Sequence, residues 1–337
     1  MALSELFCGP ISDAIGRKPV LYAGMALYLV GSLICYFAQT IDILLMGRFI
    51  QGFAVAGPYV SVISIVRDKY AGREMARIMS LVMMIFILVP AIAPGLGQAI
   101  LYFSTWRTIF LMYIGLAIVI SIWVFFRLEE TLKPENRVKL NTKNLLHNCR
   151  EILTNRITMS YTICMGICFG SFIGYLNSSQ QIFQVQFQTG NMFALYFGIL
   201  ALVLGVAALV NSRIVEKLGM RYICIRSTIG IIIASGIFLA VNLLVPVTLW
   251  MFLIYAAALF FAFGLMFGNL NAISMEPMGH IAGIASAVTG SIASGISMLL
   301  GAVIGQLYDN TLIPVVTGFL VLGILSLGAM LYAEKSK

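Results

Sequence analysis

Charge is what this sequence has least of. Of its 337 residues, 10% are Asp, Glu, Lys or Arg, where a soluble domain carries about 25%. With 61% of the residues hydrophobic, too little polar surface remains to cover a water-exposed globule. That excludes a soluble enzyme, a disordered chain and a secreted disulfide scaffold. Histidine is scarce: His147 and His280 are the two, and neither sits in an HExxH or HxxxH arrangement. No GxSxG sequence, no phosphate-cradling P-loop and no paired carboxylates inside an apolar run occur. An ATP-driven pump, an intramembrane protease and a lipid-modifying enzyme are thereby disfavoured, and no enzymatic activity is expected. The six cysteines (8, 35, 149, 164, 168 and 224) form no CxxC and no zinc spacing. They read as reduced packing residues, with no metal and no cofactor. The first ten residues contain Glu5 and no basic stretch, so no cleavable signal peptide is expected.

What the chain has in abundance is apolar runs of bilayer length, about 20 residues each. Ten segments qualify, at 20–38, 43–65, 78–101, 107–126, 158–178, 192–212, 222–242, 248–273, 284–307 and 313–333. Before them stands Ala2–Ile11, apolar but half a span long. The expected class is an all-α polytopic membrane protein with ten complete transmembrane helices and one partial one. Basic residues fill alternate connections: 19 of the 21 Lys and Arg lie in every second inter-helix segment or at the C-terminus. Basic loops stay in the cytoplasm, which places residues 10–18, the 127–157 segment and the C-terminus there. The net charge of +8 therefore reports topology rather than a nucleic-acid surface. The long polar stretch divides the chain into a bundle at 1–126, a cytoplasmic loop at 127–157 and a second bundle at 158–333.

An internal repeat supports the division. Gly9-Pro-Ile-Ser-Asp13-Ala-Ile-Gly16-Arg17-Lys18 aligns with Ser212-Arg-Ile-Val-Glu216-Lys-Leu-Gly219-Met220-Arg221. Both copies place an acid three residues before a glycine at a cytoplasmic helix end. Two full spans precede the second copy from residue 158, and half a span precedes the first. With two parallel six-helix halves, the symmetry predicts about 45 further residues ahead of the first copy.

The Gly9…Asp13…Gly16-Arg17-Lys18 loop resembles the loop motif of the major facilitator superfamily. The chain more narrowly resembles its bicyclomycin- and chloramphenicol-resistance (Bcr/CflA) type of drug:proton antiporter. The stretches that carry the likeness are Arg48-Phe-Ile-Gln51-Gly52, Val66-Arg67-Asp68, Ala76-Arg77-Ile78-Met79-Ser80, Pro90-Ala-Ile-Ala-Pro94-Gly-Leu-Gly97, Trp106-Arg107-Thr-Ile-Phe110 and Glu276-Pro277 with Ala282-Gly283-Ile-Ala285-Ser286-Ala287. They span residues 9–287. The resemblance implies two six-helix bundles, with helices two to twelve present and the first helix and half of the second absent.

Arg48 is the first candidate for function. It lies six residues into its run, about 9 Å below the start at 1.5 Å per residue, and a charge at that depth is a functional candidate by default. Asp42 falls about 240° round the helix and cannot pair locally. Tyr59, at i+11, returns to the Arg48 face, with Gly52 and Val55 between. The competing reading is an arginine that snorkels to the interface. The resemblance ties this arginine to proton coupling and puts its acidic partner in the absent first helix. Gly9 and Asp13 read as parts of a conformational switch. Gly9 lets helices approach, and Asp13 bonds a helix N-terminus, which the resemblance places at the eleventh helix near Gly283. Gly16, Arg17 and Lys18 belong to the same loop; for the two cations, membrane anchoring by topology alone is the rival. Pro90, Pro94 and Gly97 interrupt a span and match the antiporter motif of the family, although Ala93 and Gln98 stand where its general pattern has glycines. A packing kink is the alternative.

Gly166, Gly170 and Gly174 make a smooth helix face that Asn177 and Gln181 continue, either as a substrate-binding amide cluster or as an interfacial one. Asn269 sits deep in its span and is a candidate cavity residue; Glu276 before Pro277 reads as a cap or loop acid. Glu5 stands where the family usually has glutamine and is assigned no role. The leading reading is a secondary transporter of the bacterial inner membrane. It exports small amphipathic drug-like molecules against inward protons by alternating access, as a monomer and with the proton gradient as its energy source. Two rivals stand beside it: a non-transporting remnant, and a metabolite or nutrient transporter on the same fold.

Overall fold

An apolar run surrounded by hydrocarbon must satisfy its backbone polar groups internally, and a helix does so. The computed structural model describes residues 2–70, 92–132 and 142–335, with residues 78, 82 and 89, and every regular element among them is helical. Nine helical segments among the described residues are long and apolar enough to cross a membrane. The run expected over 78–101 lies mostly outside them; its last part is the short helix Ile92–Phe103.

The chain divides into two units, Met1–Ile85 with Gly95–Asn148 and Phe86–Pro94 with Cys149–Lys337. The first holds α1 (Ala2–Ile15), α2 (Arg17–Phe37), α3 (Ile41–Ala54) and α4 (Ala56–Lys69), then most of α5 (Ile92–Phe103) and α6 (Trp106–Arg127). Helix α7 (Thr142–Thr154) lies across the boundary, within the polar stretch that the sequence reads as a loop. The second unit continues with α8 (Arg156–Gln180), α9 (Phe193–Leu218), α10 (Met220–Leu244), α11 (Leu249–Met275), α12 (Ala282–Gln306) and α13 (Ile313–Glu334).

The helices outrun the apolar segments by about a turn wherever charges stand at the end, as at Arg17 and Arg156. There the heads find partners within the protein: Arg17 is buried against Asp13 and Asp68, and Arg156 stacks over the Tyr332 ring. Helix starts are capped where the sequence offers a hydroxyl or amide: the Asn155 side chain accepts from the Thr158 amide at 3.0 Å, and Thr40 and Thr248 act in the same way. Apolar side chains also cover the outside, as at Phe49 (75% exposed) and Phe126 (78%), an arrangement suited to lipid rather than water.

In the first unit α2 is the hub, packed on α3, α4 and α6, while α1 lies against α4 and α2. Small residues allow the close approach. A Cβ on Gly31 would meet the Gln51 amide at 2.9 Å, and one on Gly24 would meet the Ala54 carbonyl at 2.9 Å and clash with Pro58. Helices α3 and α4 are one span broken at Val55. Pro58 explains the break, because it has no N–H to return to the Ala54 carbonyl.

In the second unit α8 is the hub. Gly166, Gly170 and Gly174 face Ile296, Leu300 and Ile304 of α12, and a Cβ on any of the three glycines would come within 2.9 Å of its partner. The glycine stripe of the sequence is thus a helix seam. Aromatic rings fill the remainder: Phe169 stacks on Phe267 and Phe238 on Tyr255, each pair with centroids 4.2 Å apart.

Candidate functional site

Arg48 sits on α3 with its side chain exposed. Its Nη1 donates to Gln51 Oε1 at 3.0 Å. Gln51 Nε2 donates to Ser32 Oγ at 2.7 Å, and Ser32 Oγ to the Tyr28 carbonyl at 2.8 Å. Gln51 and Ser32 are buried. The i,i+3 step of a helix stacks Gln51 over Arg48, so a chain of polar groups crosses from α3 to α2 and fixes the guanidinium. No carboxylate pairs with Arg48 among the described residues. Tyr59, half-buried on α4, lies one turn beyond the break at Val55 and within electrostatic reach of Glu5 on α1.

The loop motif folds around Arg17. Gly16 adopts φ +113°, a conformation reserved for glycine, and turns the chain from α1 into α2. The Arg17 Nε lies 3.0 Å from Asp68 Oδ2, and its Nη1 donates to Ser12 Oγ at 3.2 Å and to Asp13. Glu130, just past α6, accepts from the Arg17 amide at 3.0 Å and the Lys18 amide at 3.1 Å. A carboxylate there meets the positive end of α2. Burial alone would push the Glu130 carboxyl up; the amides of Leu132, Arg17, Lys18 and Thr131 outweigh it and hold it below its ordinary range. Asp13 is thus joined to its own loop through Arg17, while Gly9 lies in α1, partly buried.

A matching centre stands in the second unit. Gly219, at φ +80°, joins α9 to α10 as Gly16 joins α1 to α2. Arg221 Nη2 donates to Glu276 Oε2 at 2.7 Å, and its Nε lies 2.9 Å from Glu334 Oε1, which also accepts from the Tyr161 hydroxyl at 3.0 Å. Glu276 opens a 3₁₀ turn, Glu276–Ile281, and holds an ion pair rather than a simple cap. Arg156 extends the grouping by stacking over the Tyr332 ring at 4.1 Å.

The amide candidates separate. Asn177 and Gln181 are both exposed. Asn177 Nδ2 donates to the Gly301 carbonyl at 3.1 Å, and Gln181 opens a π-helical turn, Gln181–Gln186, that continues α8. Asn269 is 4% exposed, and its amide is taken up by Asn211 on α9: its Nδ2 donates to Asn211 Oδ1 at 2.8 Å. Pro94 and Gly97 lie on α5, which stays helical through both, and no described atom comes within 4 Å of a Cβ placed on Gly97. Pro90, the Arg67 side chain and residues 76, 77, 79 and 80 lie outside the described residues.

Gln51, Ser32, Asp68, Glu130, Glu334 and Asn211 are the partners that sequence reasoning passed over. Gln51 and Asp68 stand within quoted motifs, three residues after Arg48 and one after Arg67, so their spacing carried a signal. Glu130 and Glu334 are acids at the ends of α6 and α13, and nothing local marks which cation each will meet.

Comparison with known proteins gives three further findings. The description of the Major Facilitator Superfamily matches residues 1–302. Among curated proteins, the multidrug resistance protein MdtL of Escherichia coli is 30% identical over 325 residues (94% of this chain and 79% of that protein). The bicyclomycin resistance protein homolog of Haemophilus influenzae is 25% identical over 315 residues (93% and 79%), and the uncharacterized MFS-type transporter YdgK of Bacillus subtilis 29% over 328 residues (93% and 78%). Among solved structures, the human organic anion transporter MFSD10 superposes with a TM-score of 0.69 at 16% identity, covering 99% of this chain and 80% of that one.

Proposed function

Because the chain belongs to the Major Facilitator Superfamily, a family of multi-pass membrane transporters, we propose that it exports small amphipathic, drug-like molecules in exchange for protons. The observation that carries the reading is Arg48: a cation inside an apolar span, held by Gln51, itself bonded to Ser32, with no carboxylate paired to it among the described residues. Such a group is costly within a span and by default marks an ion or substrate pathway. The names of the relatives, multidrug and bicyclomycin resistance, favour drug-like cargo.

In this reading the protein lies in the bacterial inner membrane with its basic ends in the cytoplasm, and its two units rock about a common site. Arg48 senses the protonation state of an acid, and Tyr59, Asn177 and Gln181 touch cargo. Asn269 acts through Asn211 as part of the wall. Gly9, Asp13, Gly16 and Arg17, with Pro94 and Gly97, set the balance between the two facing states.

The test is reconstitution in proteoliposomes bearing a proton gradient, with ethidium as cargo and a pH-sensitive dye as reporter. Wild-type protein should release protons when ethidium is added. Arg48→Ala should abolish that release, and an Arg48→Ala variant that couples as well as wild type would remove the role given to Arg48.

A further inference from the structure

Four helices of the second unit, α8, α10, α11 and α13, close around a small cavity. The centre of a water molecule can range over about 10 Å³ inside it, about the room that one water needs. Most of the wall is apolar, with Ile231 from α10, Phe263 from α11 and Phe319 from α13. Three buried hydroxyls interrupt it, each from a different helix: Ser171 of α8, Thr228 of α10 and Ser326 of α13. In a membrane span such a hydroxyl commonly turns back to its own helix and donates to the carbonyl four residues earlier. Ser171 does so to Ile167 at 3.0 Å, and Thr228 to Cys224 at 2.9 Å. Ser326 does not. Its backbone carbonyl is met by the Cys164 thiol at 3.3 Å, but its Oγ is buried and has no hydrogen-bond partner among the described residues. A hydroxyl left unpaired away from water carries its full desolvation cost.

The three groups complement one another. Ser171 and Thr228 have committed their protons and keep lone pairs, whereas Ser326 keeps a proton to donate. A ligand that meets all three must offer two donors and one acceptor within the volume of a single water. A monatomic cation offers neither, and an anion has no donor. We propose that this cavity binds one water molecule, which accepts from Ser326 and donates to Ser171 and Thr228. Three hydrogen bonds are the usual complement of a buried water. The bridge joins α13 to α8 and α10, and because the water can turn, α13 can shift slightly against the other two without stranding a hydroxyl.

The test is hydroxyl-radical labelling of the reconstituted full chain by short X-ray pulses. Radicals form where a water is and oxidise the nearest side chains, so a bound water marks the wall of its own cavity. Phe263 lines the cavity and Phe252, on the same helix, does not, yet both are 2% exposed. Phe263 should be oxidised several-fold more than Phe252, and Ser326→Ala should remove that excess. Ser326→Ala should also lower the thermal unfolding midpoint, because it takes a hydrogen bond from the water. In a dry cavity it would raise the midpoint instead, by deleting an orphaned hydroxyl. Equal labelling of the two phenylalanines in wild type would overturn the proposal. So would a Ser326→Ala variant that keeps the excess or unfolds at a higher temperature than wild type. If Ser326→Ala fails to fold, the wild-type comparison decides alone.

Discussion

Arg17 and Arg221 each draw two acidic groups to the basic end of their own unit, but the Arg17 side chain is 8% exposed and the Arg221 side chain 29%. The repeat accounts for both the likeness and the difference. Gly16 and Gly219 occupy matching positions and both turn through positive φ, yet the arginine follows immediately in the first copy and one residue later in the second. One residue is about 100° of helix, so the two guanidinium groups leave their helices in different directions. Arg17 turns back onto Asp13 of its own loop and onto Asp68. Arg221 instead reaches acids at the ends of α11 and α13, and the aligned Glu216 is exposed and joins no ion pair among the described residues. The first arginine takes one of its two acids from its own loop; the second takes both from the ends of other helices.

The burial difference predicts unequal costs. Arg17→Ala removes a buried guanidinium from Asp68 and Asp13 and should lower the stability of the purified protein by about 2 kcal/mol, while Arg221→Ala should cost about 1 kcal/mol. Equal shifts in thermal unfolding would break the comparison. The glycines should follow the same order. Gly16→Ala forces positive φ and drives a Cβ to 2.5 Å from Glu130 Oε2, whereas the Gly219 position is open. Costs of about 2 and about 1 kcal/mol are expected, read by the same unfolding measurement; a Gly219→Ala loss as large as that of Gly16→Ala would contradict the crowding assigned to Glu130.

The smallest effect concerns pH. Glu130 is held below its ordinary 4.5, so its contribution is complete above that value and fades as pH falls through the lowered one. Stability of wild type below pH 4.5 should therefore decline more steeply than that of Glu130→Gln. Parallel decline would show that the carboxylate at the start of α2 gives nothing to the first unit.

Helices were legible because hydropathy and backbone satisfaction are both local: an apolar run bounded by Thr248 or Asn155 has a start, a length and one permitted structure. The repeat marked Gly16 and Gly219 as matching helix-end positions for the same reason. Partnerships across the bundle were not. Glu130 stands 113 residues from Arg17 in the chain, and a surface acid at a helix end looks the same in sequence whether or not a cation reaches it. Asn269 illustrates the limit from the other side: its depth was readable, but its engagement with Asn211 depended on which face α9 turns toward α11. Helix α7 escaped because its pattern is amphipathic and short, which resembles a polar loop on a scale tuned to bilayer spans.

The seam between α8 and α12 constrains how the second unit can move. Residue numbers rise together along it, from Gly166 against Ile296 to Gly174 against Ile304, so the helices run parallel with teeth seated in notches every fourth residue. Sliding by a fraction of that spacing would drive isoleucine side chains into backbone. The next seated register is about 6 Å away, one notch further along. This pair is therefore geared: it travels as a single strut or jumps a whole notch, and any rocking of the unit has to be absorbed at other joints.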